Sequence, residues 1–350
     1  MTPLETIIRS QIAQTGPISL HDYMALCLGH PEHGYYITKD PFGAAGDFTT
    51  APEISQMFGE LIGLALVQTW IEQGQPAPFI LAELGPGRGQ LMQDILRVAA
   101  RAPGFNEAAQ VWLVETSPTL RAEQAKRIDP SPNWAQSIAD IPEGPLFLIA
   151  NEFFDALPIH QYVMKSGHWH ERMIGLENDA PAFGLRNTGM TSPAAPDGSI
   201  WERCRQGAAI CRSISERIAA QGVAIIIDYG YGETPEMGGD TFQAIREHAF
   251  ADPLMFPGKA DLTAHVDFAA LAKAAEEAGA RPSKLITQGD LLHRLGIGAR
   301  AAALAKARPD KAEETEAALK RLTHHEKMGT LFKALALYPP GASPPPGFDP

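Results

Sequence analysis

Cysteine is scarce in this chain: Cys27, Cys204 and Cys211 are the only three among 350 residues. An odd, sparse set fits a reducing compartment and excludes a disulfide framework. No cysteines or histidines stand at zinc-ligand spacing, so no metal is expected. His168 with His170, and His324 with His325, read as solvated or internally satisfied side chains. No apolar run approaches the ~18 residues of a membrane span, so no membrane insertion is expected. The first twenty residues carry Glu5 and lack both a signal-peptide apolar core and an Arg-rich amphipathic leader. The resulting expectation is a soluble, cytoplasmic protein. Basic residues are outnumbered, 29 against 41 acidic, for a net charge of −12. That balance excludes non-specific nucleic-acid or acidic-membrane binding and mildly favours a basic partner. No internal repeat is present.

What remains is an ordinary globular composition, 45% hydrophobic and 20% charged. A chain of this length buries a full core in one large domain or two. Its most informative stretch is 78–89, Pro-Phe-Ile-Leu-Ala-Glu-Leu-Gly-Pro-Gly-Arg-Gly. A short apolar run ends at Gly85, Gly87 and Gly89, and a helical pattern begins directly after them. Glycine lets a backbone turn sharply and approach a ligand closely. Strand, glycine turn and helix together form the nucleotide-binding corner of a doubly wound α/β sheet. A dinucleotide fingerprint needs G-x-G-x-x-G, with a ribose-binding acid about 20 residues on. Here the spacing is G-x-G-x-G, an acid precedes it at Glu83, and the next strand candidate ends at Glu115. The competing account of these residues is a tight βα turn with no ligand.

The pattern resembles motif I of the class I S-adenosylmethionine (SAM) methyltransferases. That resemblance implies that the glycine turn lies against the methionine part of SAM. It also implies that Glu115 accepts hydrogen bonds from both ribose hydroxyls, a pairing that suits a bidentate carboxylate.

Periodicity supplies the rest of the outline. Helices are predicted over 3–14, from Ser19 with Asp22 as a capping partner, over 54–73, over 91–99, from Ser117 with Pro118 at N1, and over 267–278. Cys204, Ala208, Cys211, Ile214 and Ile218 mark another helix face. Brief apolar runs at 79–84, 111–115, 146–150 and 223–228 read as parallel strands buried on both faces. Segments 283–287 and 331–337 are candidates for the last strands. Residues 29–50 are expected to form a loop, 160–200 an inserted segment with antiparallel strands, and 339–350 an irregular Pro/Gly-rich tail.

Ligands in open α/β sheets bind at the carboxyl ends of strands. The run 146–150 ends at Asn151-Glu152-Phe153-Phe154-Asp155-Ala156-Leu157-Pro158, placed to face whatever the glycine turn holds. Asn151 offers a donor and an acceptor, while Glu152 and Asp155 offer carboxylates; capping of a helix by Asn151 and Asp155 is the alternative. An arginine acceptor is always charged and needs acids to fix its fork while a proton leaves. Glu152 and Asp155 are the candidates, with Phe153, Phe154, Tyr35 or Tyr36 as flanking rings. Two further segments are dense in special residues. Asp47, Thr49, Thr50 and Glu53 precede a helix, and Asp261, His265 and Asp267 lie in 252–267. Asp228-Tyr229-Gly230-Tyr231-Gly232 follows another strand end.

Taken in order, the stretches 46–60, 83–89, 114–120, 151–158, 228–230 and 261–268 resemble the MidA-type methyltransferases, the family of a mitochondrial complex I assembly factor that methylates an arginine. The resemblance runs from about residue 3 to residue 338. It implies SAM as cofactor and an α/β fold of the class I methyltransferase (Rossmann-like) type, a doubly wound sheet with a helical N-terminal extension and an inserted segment. It implies a protein substrate, with a respiratory complex I subunit as the candidate. The site it implies is Glu83, Gly85, Gly87, Gly89 and Glu115 for the cofactor and Asn151, Glu152 and Asp155 for methyl transfer. In the wider superfamily the residues after the third strand hold adenine, which points to Asp140.

The division expected is a helical region 1–77 on the substrate side, a core over 78–338 with insertions around 160–200 and 232–265, and a tail 339–350. A homodimer is left open. The alternatives in function are a non-catalytic assembly factor on the same fold and, against the glycine spacing, an NAD-linked oxidoreductase.

Overall fold

The computed structural model describes residues 2–38, 49–232 and 239–349. Gly46, Asp47 and Phe48 lie outside the described residues. The chain divides into two compact units, each built from separate stretches. One takes residues 1–48, 155–208 and 231–269; the other takes 49–154, 209–230 and 270–350. The boundary expected at 77/78 thus falls inside the second unit.

The second unit is a mixed sheet with helices. Its strands are β1 (Phe79–Leu84), β2 (Ala109–Val114), β3 (Asn133–Ala135), β4 (Leu146–Asn151), β5 (Gly222–Tyr231), β6 (Arg281–Pro282), β7 (Ile286–Thr287) and β8 (Phe332–Tyr338). In space they run β6-β8-β5-β4-β1-β2-β3, and β7 also pairs with β8. Strands β1 to β5 pair in parallel, whereas β8 runs antiparallel to β5. Every residue of β1 and β4 is buried, which explains their unbroken apolar runs. Phe79, Leu81, Phe147, Ile149, Val223, Ile225 and Ile227 supply one contiguous core with the helix Gln56–Glu72.

That helix differs from the expectation of one element over 54–73. A first turn, Ala51–Ile54, ends at Ser55, which is extended at φ −163° and ψ 139°. The Ser55 hydroxyl then accepts from the Met57 amide at 3.2 Å, so the serine caps a second helix rather than continuing the first. Four helices between Gln288 and Leu331 had no sequence reading. Three are short or mostly exposed, and each sends only one or two apolar residues into the core: Leu291 with Leu292, Ile297 with Ala301, and Leu322.

The first unit starts with two capped helices, Pro3–Thr15 after Thr2 and Leu20–Gly29 after Ser19. Strands His160–Lys165, His168–Glu177, Ala180–Asn187 and Ile200–Arg203 pair antiparallel, and the fourth returns beside the first, so the inserted segment has Greek-key order. A second small sheet joins Gln243–Arg246, Ala249–Ala251 and Asp261–Thr263. Leu4, Ile8, Leu20, Tyr23, Met24, Ile174 and Leu262 form the core of this unit. A short helix, Tyr35–Thr38, stands within the stretch expected to be loop. Cys27 and Cys211 are buried, and no disulfide joins the three thiols.

Candidate functional site

Register brings the chemistry of the second unit to one edge. Leu84 of β1 stands beside Val114 of β2 and Ala150 of β4, and Asn151 stands beside Ile227 of β5. Gly85, Glu115 and Glu152, which follow β1, β2 and β4, and Asp228, the next residue along β5, are therefore neighbours. Backbone bonds carry the ladder one step further, from Gly85 N to Val114 O at 3.1 Å and from Glu152 N to Ile227 O at 2.9 Å.

The glycine turn needs glycine. Gly85, Gly87 and Gly89 have φ of 61°, 51° and 80°, the left-handed region that side chains rarely adopt. A β-carbon on Gly85 would also stand 2.9 Å from Phe153 Cδ2. Gly89 is the N-cap of the helix Gln90–Ala99 and makes no side-chain cap, and of the first-turn amides that of Met92 is turned to the Glu83 carboxyl.

Glu115 is held from below. Its Oε1 accepts the amides of Thr116 and Ser117, each at 2.8 Å. Its Oε2 accepts from Gln124 Nε2 at 3.3 Å. Arg121 donates to the Glu115 carbonyl oxygen through Nε at 2.8 Å and again through its terminal nitrogen. Burial pushes the Glu115 carboxyl above its ordinary range against the pull of these donors. Gln124 is fully buried and ties three elements: it also donates to the Gly87 carbonyl at 2.7 Å and accepts from Trp134 Nε1 at 2.8 Å. Nothing in the helical pattern of 118–127 marks Gln124, because a buried amide on a polar helix gives no periodic signal.

Glu83 stands next to last in β1 with its carboxyl buried. Burial, only partly offset by the Met92 amide and reinforced by the charge of Glu115, pushes it up to about 8. Its Oε2 is buried without a hydrogen-bond partner among the described residues. Asn151 is in the same position: Nδ2 donates to Glu152 Oε1 at 3.0 Å, and Oδ1 is buried and unpartnered. Orphaned polar atoms of this kind are costly unless something completes them.

Glu152 adopts φ 52° although it is not glycine. A left-handed carboxylate residue at a strand end stores strain of the kind that gathers at working sites. Its Oε1 also accepts the Ala51 amide at 3.0 Å, which fixes the carboxylate plane. The turn is pinned by Asp228, which is completely buried. Asp228 Oδ2 accepts the amides of Phe153 at 3.1 Å and Phe154 at 2.9 Å, and Oδ1 accepts that of Tyr229 at 2.9 Å. The sequence located Asp228 at a strand end; this pinning role was not read.

Asp140 stands apart in kind. It is exposed, and its Oδ2 accepts from both the Ser137 amide and hydroxyl at 2.9 Å, capping its own short 3-10 turn. Asp155 belongs to the first unit, where it is buried and its carbonyl accepts from the Ala264 amide at 3.0 Å. In that unit Tyr36 donates its hydroxyl to Asp261 Oδ1 at 2.8 Å. Among the described residues one group, His324, His325 and Glu326, brings potential metal donors within 4.8 Å, in a surface turn.

Comparison with known proteins agrees with this chemistry. Residues 61–286 match the model of a family of S-adenosyl-L-methionine-dependent methyltransferases. The Drosophila melanogaster protein named protein arginine methyltransferase NDUFAF7 homolog, mitochondrial, is 36% identical over 373 residues, covering 95% of this chain and 84% of its own. The Homo sapiens protein arginine methyltransferase NDUFAF7, mitochondrial, is 33% identical over 377 residues, covering 97% and 84%. A Burkholderia thailandensis crystal structure with bound S-adenosyl-homocysteine superposes with a TM-score of 0.85 at 25% identity, covering 99% of this chain and 92% of that one. The relatives are named as mitochondrial, which overturns the expectation of a cytoplasmic protein; composition and an acidic residue near position 5 do not encode a compartment. Its cofactor is SAM and its activity methyl transfer: the chain belongs to the MidA-type family of SAM-dependent methyltransferases.

Proposed function

We propose that this methyltransferase acts on an arginine side chain of a protein substrate, with a respiratory complex I subunit as the candidate acceptor. The names of the arginine-methylating relatives support the acceptor class. The observation that carries the site is the register of β1, β2, β4 and β5, which sets the glycine turn, Glu115, Asn151–Glu152 and Asp228 along one sheet edge. We read the strand order, with β8 inserted antiparallel beside β5, as the doubly wound layout of class I methyltransferases.

The residues present fit SAM. Left-handed glycines and the uncapped start of the helix Gln90–Ala99 suit its methionine end, and a doubly anchored carboxylate suits vicinal hydroxyls. The unpartnered Glu83 Oε2 and Asn151 Oδ1 suit its polar groups. When bound, SAM supplies a methyl group on a sulfonium, open to in-line attack by a nitrogen. The backbone of Gly85, Gly87 and Gly89 and the carboxylate of Glu115 are the proposed holders, with Asp140 proposed for the adenine amine. Glu152, its plane fixed by Ala51 and Asn151, is proposed to hold the acceptor guanidinium and offset its charge as a proton leaves. Positioning of this kind supplies several kcal/mol of rate enhancement. Asp155 is proposed as a catalytic acid from the sequence pattern, and Asp155→Ala is its test.

Two measurements decide the reading. Calorimetry should show S-adenosyl-homocysteine binding to the native chain and none to Gly87→Val. Mass spectrometry of cells with and without the gene should show one arginine peptide losing its methylation, restored by the native chain and not by Glu152→Ala. Complementation that survives Glu152→Ala with methylation abolished would assign the chain to the non-catalytic assembly class.

A further inference from the structure

Among the described residues the hairpin of the first unit ends in an open edge. Its two-residue turn, Asn178 and Asp179, has φ of 48° and 65°, the left-handed pair that a type I′ turn needs. The residues flanking such a turn, Glu177 and Ala180, exchange both backbone hydrogen bonds, and bonded and non-bonded pairs alternate from there. Ile174 opposite Phe183, and Arg172 opposite Leu185, are then non-bonded pairs. Phe183, Leu185 and Asn187 accordingly turn their N–H and C=O groups away from the hairpin partner, toward the free side. Among the described residues no strand pairs there.

The strand Ala180–Asn187 is eight residues long, and an edge of that length is one that proteins usually cover, shorten or charge. Here it is instead apolar: Phe183 is 44% exposed and Leu185 43%, two positions apart on one face. Isolated exposed apolar side chains need no explanation; a pair aligned on a hydrogen-bonding edge does.

We propose that this edge pairs with the same strand of a second copy of the chain, antiparallel, about a two-fold axis near Phe183 and Gly184. A strand paired with itself in this way is self-complementary: each copy offers the donors that the other accepts. Charge selects the direction. Asp179 at one end has a side chain 88% exposed, and Arg186 near the other has one 61% exposed, although Arg9 and Glu171 already pair with them within the chain. Antiparallel pairing carries each copy's Arg186 toward the other's Asp179, whereas parallel pairing would set like charges together. The single missing donor, at Pro181, lies off the axis, where it ends the ladder. Cross-strand contacts between the two copies of Phe183 and Leu185 cover the exposed apolar pair.

Sedimentation velocity on the full chain tests this across a micromolar dilution series. The expected result is a species of twice 37.8 kDa at the upper end. Leu185→Pro removes one outward N–H and leaves the hairpin ladder intact, and Phe183→Lys sets two cations near the axis. Each should weaken dimerisation at least tenfold, with circular dichroism and S-adenosyl-homocysteine binding unchanged. Phe183→Cys should give a covalent dimer on mild oxidation. A native chain that stays monomeric throughout, or a dimer that neither variant weakens, overturns the proposal. A monomer whose binding to an acceptor protein is lost in Leu185→Pro also overturns it and gives the edge to the substrate.

Discussion

The side-chain amide of Gln124 donates to the Gly87 carbonyl oxygen at 2.7 Å, and the same nitrogen reaches Glu115 Oε2 at 3.3 Å. One buried group therefore couples the glycine turn to the carboxylate at the end of β2. Replacing it with Gln124→Glu removes the donor and sets a second carboxylate against Glu115. A buried acceptor left unsatisfied costs about 1–3 kcal/mol. S-adenosyl-homocysteine affinity, measured by calorimetry, should fall by roughly a factor of ten or more. Gln124→Met, similar in shape and unable to charge, should fall less than Gln124→Glu. Equal affinities in all three chains would show that the coupling does not matter for binding.

Runs buried on both faces were legible, because β1 and β4 must be apolar throughout to sit inside the sheet. So was the glycine turn, since left-handed backbone at three alternate positions leaves few other residues. The helices between Gln288 and Leu331 were not, because a mostly exposed helix prints few apolar positions. Gln124 and Asp228 escaped for another reason. Their roles rest on partners 37 and about 75 residues away in the chain, and local pattern carries no trace of such contacts. The first unit's capped helices and antiparallel insert had local signals, but its assembly from three separate stretches had none.

Glu83 makes stability depend on pH. Its folded value of about 8 lies above the ordinary 4.5, so the native state holds a proton that the unfolded chain has released. Stability from this group is fully present below about pH 4.5 and is lost as pH rises toward 8. The slope between those limits approaches about 1.4 kcal/mol per pH unit. Glu83→Gln keeps an acceptor for the Met92 amide and removes the titration. Urea midpoints of the native chain should fall from pH 5 to pH 8 more steeply than those of Glu83→Gln, and parallel curves would refute the buried proton.

Gly85→Ala should do more harm than Gly89→Ala. Both force a β-carbon into left-handed backbone, at about 1–2 kcal/mol. At Gly85 the new atom also meets the Phe153 ring at 2.9 Å, so the turn after β4 must shift. At Gly89 the nearest atom, Ile128 Cδ1, is the end of a side chain that can move. Thermal melts should rank native, Gly89→Ala, Gly85→Ala in falling order. The second variant should also lose methyl transfer beyond its loss of cofactor affinity.

Asp228 accepts three backbone amides, two of them from the turn that carries Glu152. Asp228→Asn keeps the shape but loses charge and turns an N–H₂ group toward amide donors. Hydrogen bonds to a charged group contribute about 1.5–3 kcal/mol each, so the variant should melt lower and hold its turn loosely. Because two of its three amide bonds hold the 153–154 turn beside Glu152, S-adenosyl-homocysteine affinity should change little while kcat falls steeply. A parallel loss of both would mean that the whole edge, and not the Glu152 turn alone, depends on this carboxylate.

Glu152 separates strain from chemistry. At φ 52° a residue with a β-carbon sits in a region that glycine occupies freely. If the carboxylate were structural, Glu152→Ala and Glu152→Gly would both cost stability through the bonds lost to Ala51 and Asn151. Glycine recovers the backbone strain and alanine does not, so Glu152→Gly should melt above Glu152→Ala by the equivalent of about 1 kcal/mol. Neither variant should transfer methyl groups, since both lack the acid proposed to hold the acceptor. The two readouts pull apart: stability follows the backbone, activity follows the side chain. A glycine variant that regained methyl transfer along with stability would remove Glu152 from the chemistry and leave it as a turn residue. A strained carboxylate kept at this strand end, where glycine would fold more easily, argues that the side chain is what the position needs.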